Sequence, residues 1–258
     1  LGVSALRRAL DINPDLSLAH NLYAHVEVDA GRAREAVQRL LERVRMATSE
    51  PELFAGLVHA CRYCGLLDAS IAAYERARSL DPAVVTSVAQ TFFLQGQWEQ
   101  AIAADRSNPP FTTAVSLVQL GRVSEGLELL RTAAARGVHP QLHYLMQGMI
   151  ALFEKRYDDV IVHTRRVIES GFADAEVFYH WAGALALAGD HDGALSLLER
   201  SIDGGFHPAS SMARDWRFDP LRSAPDFNQI FRRAEELQQQ ALETFRGAGG
   251  ARLLGLPG

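Results

Sequence analysis

An all-α chain of tandem helix pairs is what three features of this sequence predict. Gly31 and Gly65 mark turns 34 residues apart, and Gly121, Lys155 and Gly189 occupy the equivalent turn at the same interval. A second series, Gly137, Gly171 and Gly205, repeats with the same period, and each member precedes an apolar residue (Val138, Phe172, Phe206). Between these turns apolar residues recur at three and four spacing, the period of a helix with one buried stripe. Self-similarity at roughly 20–50 residues is the mark of stacked supersecondary units.

Taken in order, residues 1–16 read as the second half of a truncated unit, with a helical LRRAL stretch closed by LDINP. Units follow at 17–50 and 51–84; in the latter, Glu52–Cys64 and Asp68–Ser79 flank the Gly65 turn and Asp81-Pro82 closes the pair. Phe54, Leu57, Val58 and Cys61 form the inner stripe of the first of these helices, and Ile71, Tyr74 and Ala77 that of the second. Ala83–Val88 is β-branched but lies at the start of the next unit, so no strand is predicted. The unit at 85–107 is short: Gly96 is 31 residues from Gly65 and 25 from Gly121, and its second helix, Trp98–Asp105, meets Asn108-Pro109-Pro110. Consecutive prolines cannot continue a helix, so a kink or a boundary between two stacks is expected, dividing units 17–107 from units 108–208. Those later units run 108–140, 141–174 and 175–208. Residues 209–246 read as a capping segment with a terminal helix from Pro225 to Phe245. In it, Asp219-Pro220 and Ser223 to Pro225 offer caps before prolines. The Gly-rich stretch 247–258 reads as a flexible tail.

The run ASIAAYERARSLDP at 69–82, with Tyr74, Ala77 and Pro82 in place, resembles the second half of a tetratricopeptide repeat (TPR), as do the first 14 residues. The resemblance covers nearly the whole chain. It implies a right-handed superhelical solenoid of antiparallel helix pairs, a protein or peptide ligand on the concave face, and no cofactor. The segment DWRFDPLRS at 215–223, with Pro225 and Phe227, resembles the stretch that closes repeat arrays in bacterial serine/threonine kinases, class III cyclases and winged-helix regulators. That implies a non-catalytic protein–protein interaction scaffold, the sensory or interaction region of a larger bacterial signalling protein. The alternative is a fragment of such a kinase or cyclase whose catalytic domain lies outside this chain. A first residue other than Met accords with a piece of a longer protein.

Composition narrows the partners. With 26 basic and 31 acidic residues the 258-residue chain carries −5, which disfavours a nucleic-acid or anionic-membrane surface. All but one of the basic residues are Arg, the exception being Lys155, a bias that suggests a GC-rich bacterial genome. No apolar run approaches the ~18 residues of a membrane span. Two cysteines cannot form a disulfide framework, so a reducing cytoplasm is expected.

Cys61 and Cys64 form a C-x-x-C, but in the last turn of a helix, where the dipole opposes a thiolate. Four zinc ligands are lacking there, so Cys61 reads as core packing and Cys64 as incidental. The nine His residues form no metal-binding array, and Asp190-His191-Asp192 and Asp158-Asp159 read as helix caps. No catalytic or metal site is predicted.

A stack of helix pairs binds on the face lined by the first helix of each unit. Projected away from the buried stripes, the early units offer Asn21, His25, Asp29, Glu52, His59, Arg62 and Tyr63, polar and mixed in sign. The late units offer Leu142, Leu145, Met149, Leu152, Phe153 and Tyr179, strongly apolar. The apolar half is expected to be covered by the C-terminal segment, to bind an amphipathic helix or apolar peptide, or to form a homodimer interface.

Overall fold

The computed structural model describes residues 2–108, 110–136 and 140–257, and all regular structure among them is helical. Helix α1 (Gly2–Ile12) precedes six hairpins: α2 and α3 (Ser17–Asp29, Ala33–Met46), α4 and α5 (Pro51–Tyr63, Leu67–Leu80), α6 and α7 (Val88–Leu94, Trp98–Ala104), α8 and α9 (Phe111–Gln119, Val123–Ala135), α10 and α11 (Pro140–Phe153, Tyr157–Glu169), and α12 and α13 (Ala175–Ala188, His191–Asp203). Then come α14 (Ala209–Met212), a 3-10 helix at Trp216–Leu221, α15 (Pro225–Gly247) and α16 (Gly250–Leu254). Within each hairpin the two helices pack on each other, and consecutive hairpins pack in chain order. No helix among the described residues is long and apolar enough to cross a membrane.

The hairpin turns share one local chemistry. Gly31, Gly65, Gly96, Gly121 and Gly189 all have left-handed φ, from 71° to 84°. The amide after each bonds back across the helix end, as Arg32 N to Glu27 O (2.8 Å), Leu66 N to Cys61 O (2.9 Å) and Arg122 N to Leu117 O (2.8 Å). This is the Schellman closure, which satisfies carbonyls that a helix end would otherwise orphan. Lys155 occupies the same turn with φ 59°, and Arg156 N reaches Ala151 O at 2.8 Å.

Packing follows the small-against-large pattern of the sequence. Ala24, Ala36, Ala60, Ala73 and Ala77 are fully buried, letting Leu40, Leu41, Phe54 and Leu57 interlock between neighbouring axes. Helix α4 is enclosed on every side from Leu53 to Tyr63, with α2, α3, α5 and α6 against it.

Several local expectations change. The helix after α5 begins only at Val88: Asp81 Oδ1 accepts the Ala83 amide (2.8 Å), an Asx turn, and β-branched Val84, Val85 and Thr86 resist helix. Helix α7 stops at Ala104, ahead of the prolines, and Asp105 caps the next segment by accepting the Thr113 amide and hydroxyl, each at 2.8 Å. Helices α7 and α8 still pack across this break. Pro109 of the break lies outside the described residues, as do Gly137 and Val138 of the second glycine series. Asp190 does cap α13, accepting the Gly193 amide at 3.0 Å, whereas Asp158 and Asp159 lie inside the first turn of α11 with no cap bond. In the C-terminal segment Asp215, not Asp219, is the cap, and Ala224 rather than Ser223 precedes Pro225 at the start of α15.

The chain end turns back on its beginning. Helix α15 packs on α13, α14 and α3. Residues 247–258, expected as a flexible tail, instead carry α16, which packs on α3 and α5 through Leu253, Leu254 and neighbouring Leu256. Further up, His207 N donates to Tyr63 O (2.8 Å) and Ser211 Oγ to Leu94 O (3.0 Å).

Candidate functional site

Because the late hairpins dock on the early ones, the first helices of the hairpins enclose a cavity of about 550 Å³. His25 of α2, His59, Arg62 and Tyr63 of α4, Gln90 and Phe93 of α6, Phe111 and Val115 of α8, Met149, Leu152 and Phe153 of α10, and Glu176 and His180 of α12 line it. Lys155, Tyr157, Val123, Trp216, Asp174 and Arg217 are also in the lining, with the polar Ser87, Ser107, Thr112 and Gln119. The sequence places the polar and apolar halves far apart along the chain; here they face each other across one space.

Arg62, only 2% exposed, organises the polar wall. Its Nε and Nη2 donate to Glu176 Oε2 at 3.2 and 3.0 Å. Nη1 donates to Ser87 O (2.8 Å) and Ser87 Oγ (2.7 Å), and Nη2 also to His59 Nδ1 (3.0 Å). All five guanidinium N–H groups are thereby used. Since arginine cannot accept, His59 Nδ1 must be the acceptor, so the proton of this imidazole sits on Nε2. Burial first, then the nearby Arg62 charge, holds His59 well below the ordinary histidine range. The ring stacks on His25, centroids 4.1 Å apart.

Glu176 shows burial and pairing in opposition. Burial raises its pKa, Arg62 lowers it and Asp174 raises it again, with a net upward shift. Glu176 Oε1 and His59 Nε2 find no protein partner among the described residues. Asp174 caps α12 through the Val177 amide (2.9 Å) and accepts the Tyr63 hydroxyl at 3.3 Å. Beside it, Arg217 is held by Asp215: burial alone would raise the Asp215 carboxyl, but the guanidinium outweighs it and leaves it at about 2. His180 is driven down to about 3, by burial first and then by Arg217.

Seven of the ten residues singled out from the sequence line this cavity: His25, His59, Arg62, Tyr63, Met149, Leu152 and Phe153. Asn21 lies elsewhere, tying α2 to α4 through Nδ2 to Glu52 Oε2 at 2.6 Å. Leu145 is core, 6% exposed. Tyr179 is buried with its hydroxyl donating to Asp215 Oδ2 (2.9 Å), so the capping segment covers that residue while leaving Met149, Leu152 and Phe153 facing the cavity. Sequence reasoning missed the α6 and α8 walls. The projection that found Met149 and Leu152, applied to the short α8, would have given Val115 and Val118.

The two thiols stand apart from this site. Cys61 and Cys64 are fully buried; burial pushes both up, Cys64 to about 12. Among the described residues no three of His, Cys, Asp and Glu come together as a metal site. The cavity thus sets a hydrogen-bonded polar wall, with Glu176 Oε1 and His59 Nε2 left unpaired among the described residues, against a mainly apolar one. No protein-family model matches the chain, and no curated protein matches it.

Proposed function

We propose that this chain is a non-catalytic binding module of TPR-like helix pairs wound as a right-handed solenoid. On this reading it is the sensory or interaction region of a larger bacterial signalling protein, working in the cytoplasm. It takes the apolar part of its ligand into the cavity between α4, α6, α8, α10 and α12. The cavity carries the reading: about 550 Å³ falls within the roughly 300–1,000 Å³ of small-ligand sites. Its walls combine a dominant apolar surface with a few fixed polar groups, the composition expected of such sites. The 34-residue recurrence of the left-handed turn supports the repeat assignment.

Titration with N-phenylnaphthylamine, a neutral fluorophore that brightens in apolar surroundings, tests the reading. One saturable equivalent per chain is expected, lost in Val115→Phe, which fills the cavity from α8 while circular dichroism stays unchanged. Binding that is absent, or that survives the filled cavity, rejects it.

A further inference from the structure

We infer that the cavity is a site for a single-chain aliphatic carboxylate, its hydrocarbon inside and its anionic head on Lys155; this rests on the binding-module reading above. Both guanidiniums of the wall are paired without a ligand. Arg62 spends every N–H on Glu176, Ser87 and His59, and Arg217 is paired with Asp215. Asp174 is committed to the α12 amide and the Tyr63 hydroxyl.

Of the lysine and arginine side chains in the lining, Lys155 is the one without an ion-pair partner among the described residues. Lys155 is exposed, and its ammonium has no partner among the described residues. It is the chain's only lysine among 26 basic residues. It stands in the turn position that is glycine at 31, 65, 96, 121 and 189, and keeps the left-handed φ of 59°. A side chain there costs on the order of 1 kcal/mol against glycine. What the position gains is an exposed positive charge in the cavity lining.

Large apolar groups share the exposed part of the lining with Lys155. Val123, Tyr157 and Trp216 are 37%, 39% and 53% exposed and line the same opening. Deeper in, Phe93, Phe111, Val115, Met149, Leu152 and Phe153 offer hydrocarbon surface. A ligand matching this sequence of surfaces has an apolar chain, an amphipathic neck and one negative charge. One free ammonium balances a carboxylate; a phosphate monoester brings close to two charges at neutral pH. The cavity's small-ligand size suits one alkyl chain rather than the two of a membrane lipid.

Calorimetry with decanoate and with decanol, on the full chain and on Lys155→Gly, decides the matter. Lys155→Gly removes the charge and relieves the turn, so the variant folds at least as well as the parent. The expected result is one decanoate site that weakens about fivefold in Lys155→Gly, the scale of an exposed ion pair, while decanol binds both chains equally. Added salt narrows the difference. Decanoate bound equally by both chains, or no tighter than decanol by the parent, overturns the carboxylate assignment and leaves the cavity reading standing. Failure of decanoate while N-phenylnaphthylamine binds does the same. Failure of all three ligands removes both.

Discussion

A Cβ placed on Gly205 would lie 2.8 Å from the Cα of Gly31, so the turn that closes α2 and the turn that closes α13 meet backbone to backbone. The neighbouring contact is as tight: a Cβ on Gly65 would fall 2.3 Å from His207 O. Both glycines serve twice, holding a left-handed turn and leaving room for a distant chain segment.

Gly205→Ala separates those two roles when compared with Gly121→Ala. Gly121 has φ 78°, but a methyl group added there would meet nothing within 4 Å. Its substitution costs only the backbone strain, about 1 kcal/mol. Gly205→Ala adds a backbone clash and is expected to cost about 3 kcal/mol. Urea denaturation measures both; equal losses would mean that the Gly31 contact does not hold in solution.

Lys155→Gly makes the opposite prediction for stability. Relief of the left-handed strain exceeds the added freedom of the unfolded chain, for a net gain of about 0.5 kcal/mol. A lower thermal midpoint than the parent's would show that the lysine stem contributes packing that outweighs its strain.

Arg62→Met strands a buried carboxylate and is expected to cost about 3–5 kcal/mol. The double variant Arg62→Met/Glu176→Met removes both charges and should recover most of that loss. In the single variant Glu176 loses the cation that opposes its upward shift. A carboxyl raised in the fold favours folding at low pH and disfavours it as pH rises. The penalty relative to the parent therefore shrinks on acidification from neutral toward pH ~4.5, the ordinary glutamate value. Denaturation of the three chains at two pH values checks the sign.

The parent itself should weaken in mild acid. His180 and His207 sit at about 3 and about 4 in the fold against an ordinary 6.5, both driven down first by burial. Groups depressed in this way stabilise the fold above the unfolded value and lose that contribution as pH falls through it. Each should cost about 1.4 kcal/mol per pH unit below 6.5 until its folded value is reached. Asp215, at about 2, gives way only below this window. Melting curves from pH 7 to pH 5 should show a steady fall, shallower in His180→Phe; a flat profile would contradict it.

Truncation after Gly247 tests the chain end. With α16 gone, the α3 and α5 surfaces beneath Leu253, Leu254 and Leu256 open to water, and the thermal midpoint should drop by several degrees. An unchanged midpoint would return this segment to the status of a tail.

The hairpins were legible because each carries a local signal repeated many times: a turn glycine, a stripe at three and four spacing, a cap. Even Lys155 was placed in its turn by period alone. What escaped was non-periodic. Nothing local marks Arg62 as the partner of Glu176, since side chains on separate hairpins meet only when the whole array has curled. Helix α16 was hidden by Gly247, Gly249 and Gly250, read as breakers, although Gly249 at φ 73° is the turn that lets Leu253 and Leu254 fold back. The candidate site was half legible: α4 and α10 are long enough to project, α8 carries a short stripe that was not projected, and the seven residues of α6 are too few to show one.

The bond from Arg45 to the carbonyl of Ala248 spans 203 positions of the chain. A growing polypeptide must therefore expose the α3 and α5 surfaces that α16 later covers until residues 250–256 have left the ribosome. Local hairpins can form early and fast, but their outer seal arrives only once α16 has emerged. The interval between those events is when this protein is most open to aggregation, and when a chaperone holding α3 and α5 would raise its yield most.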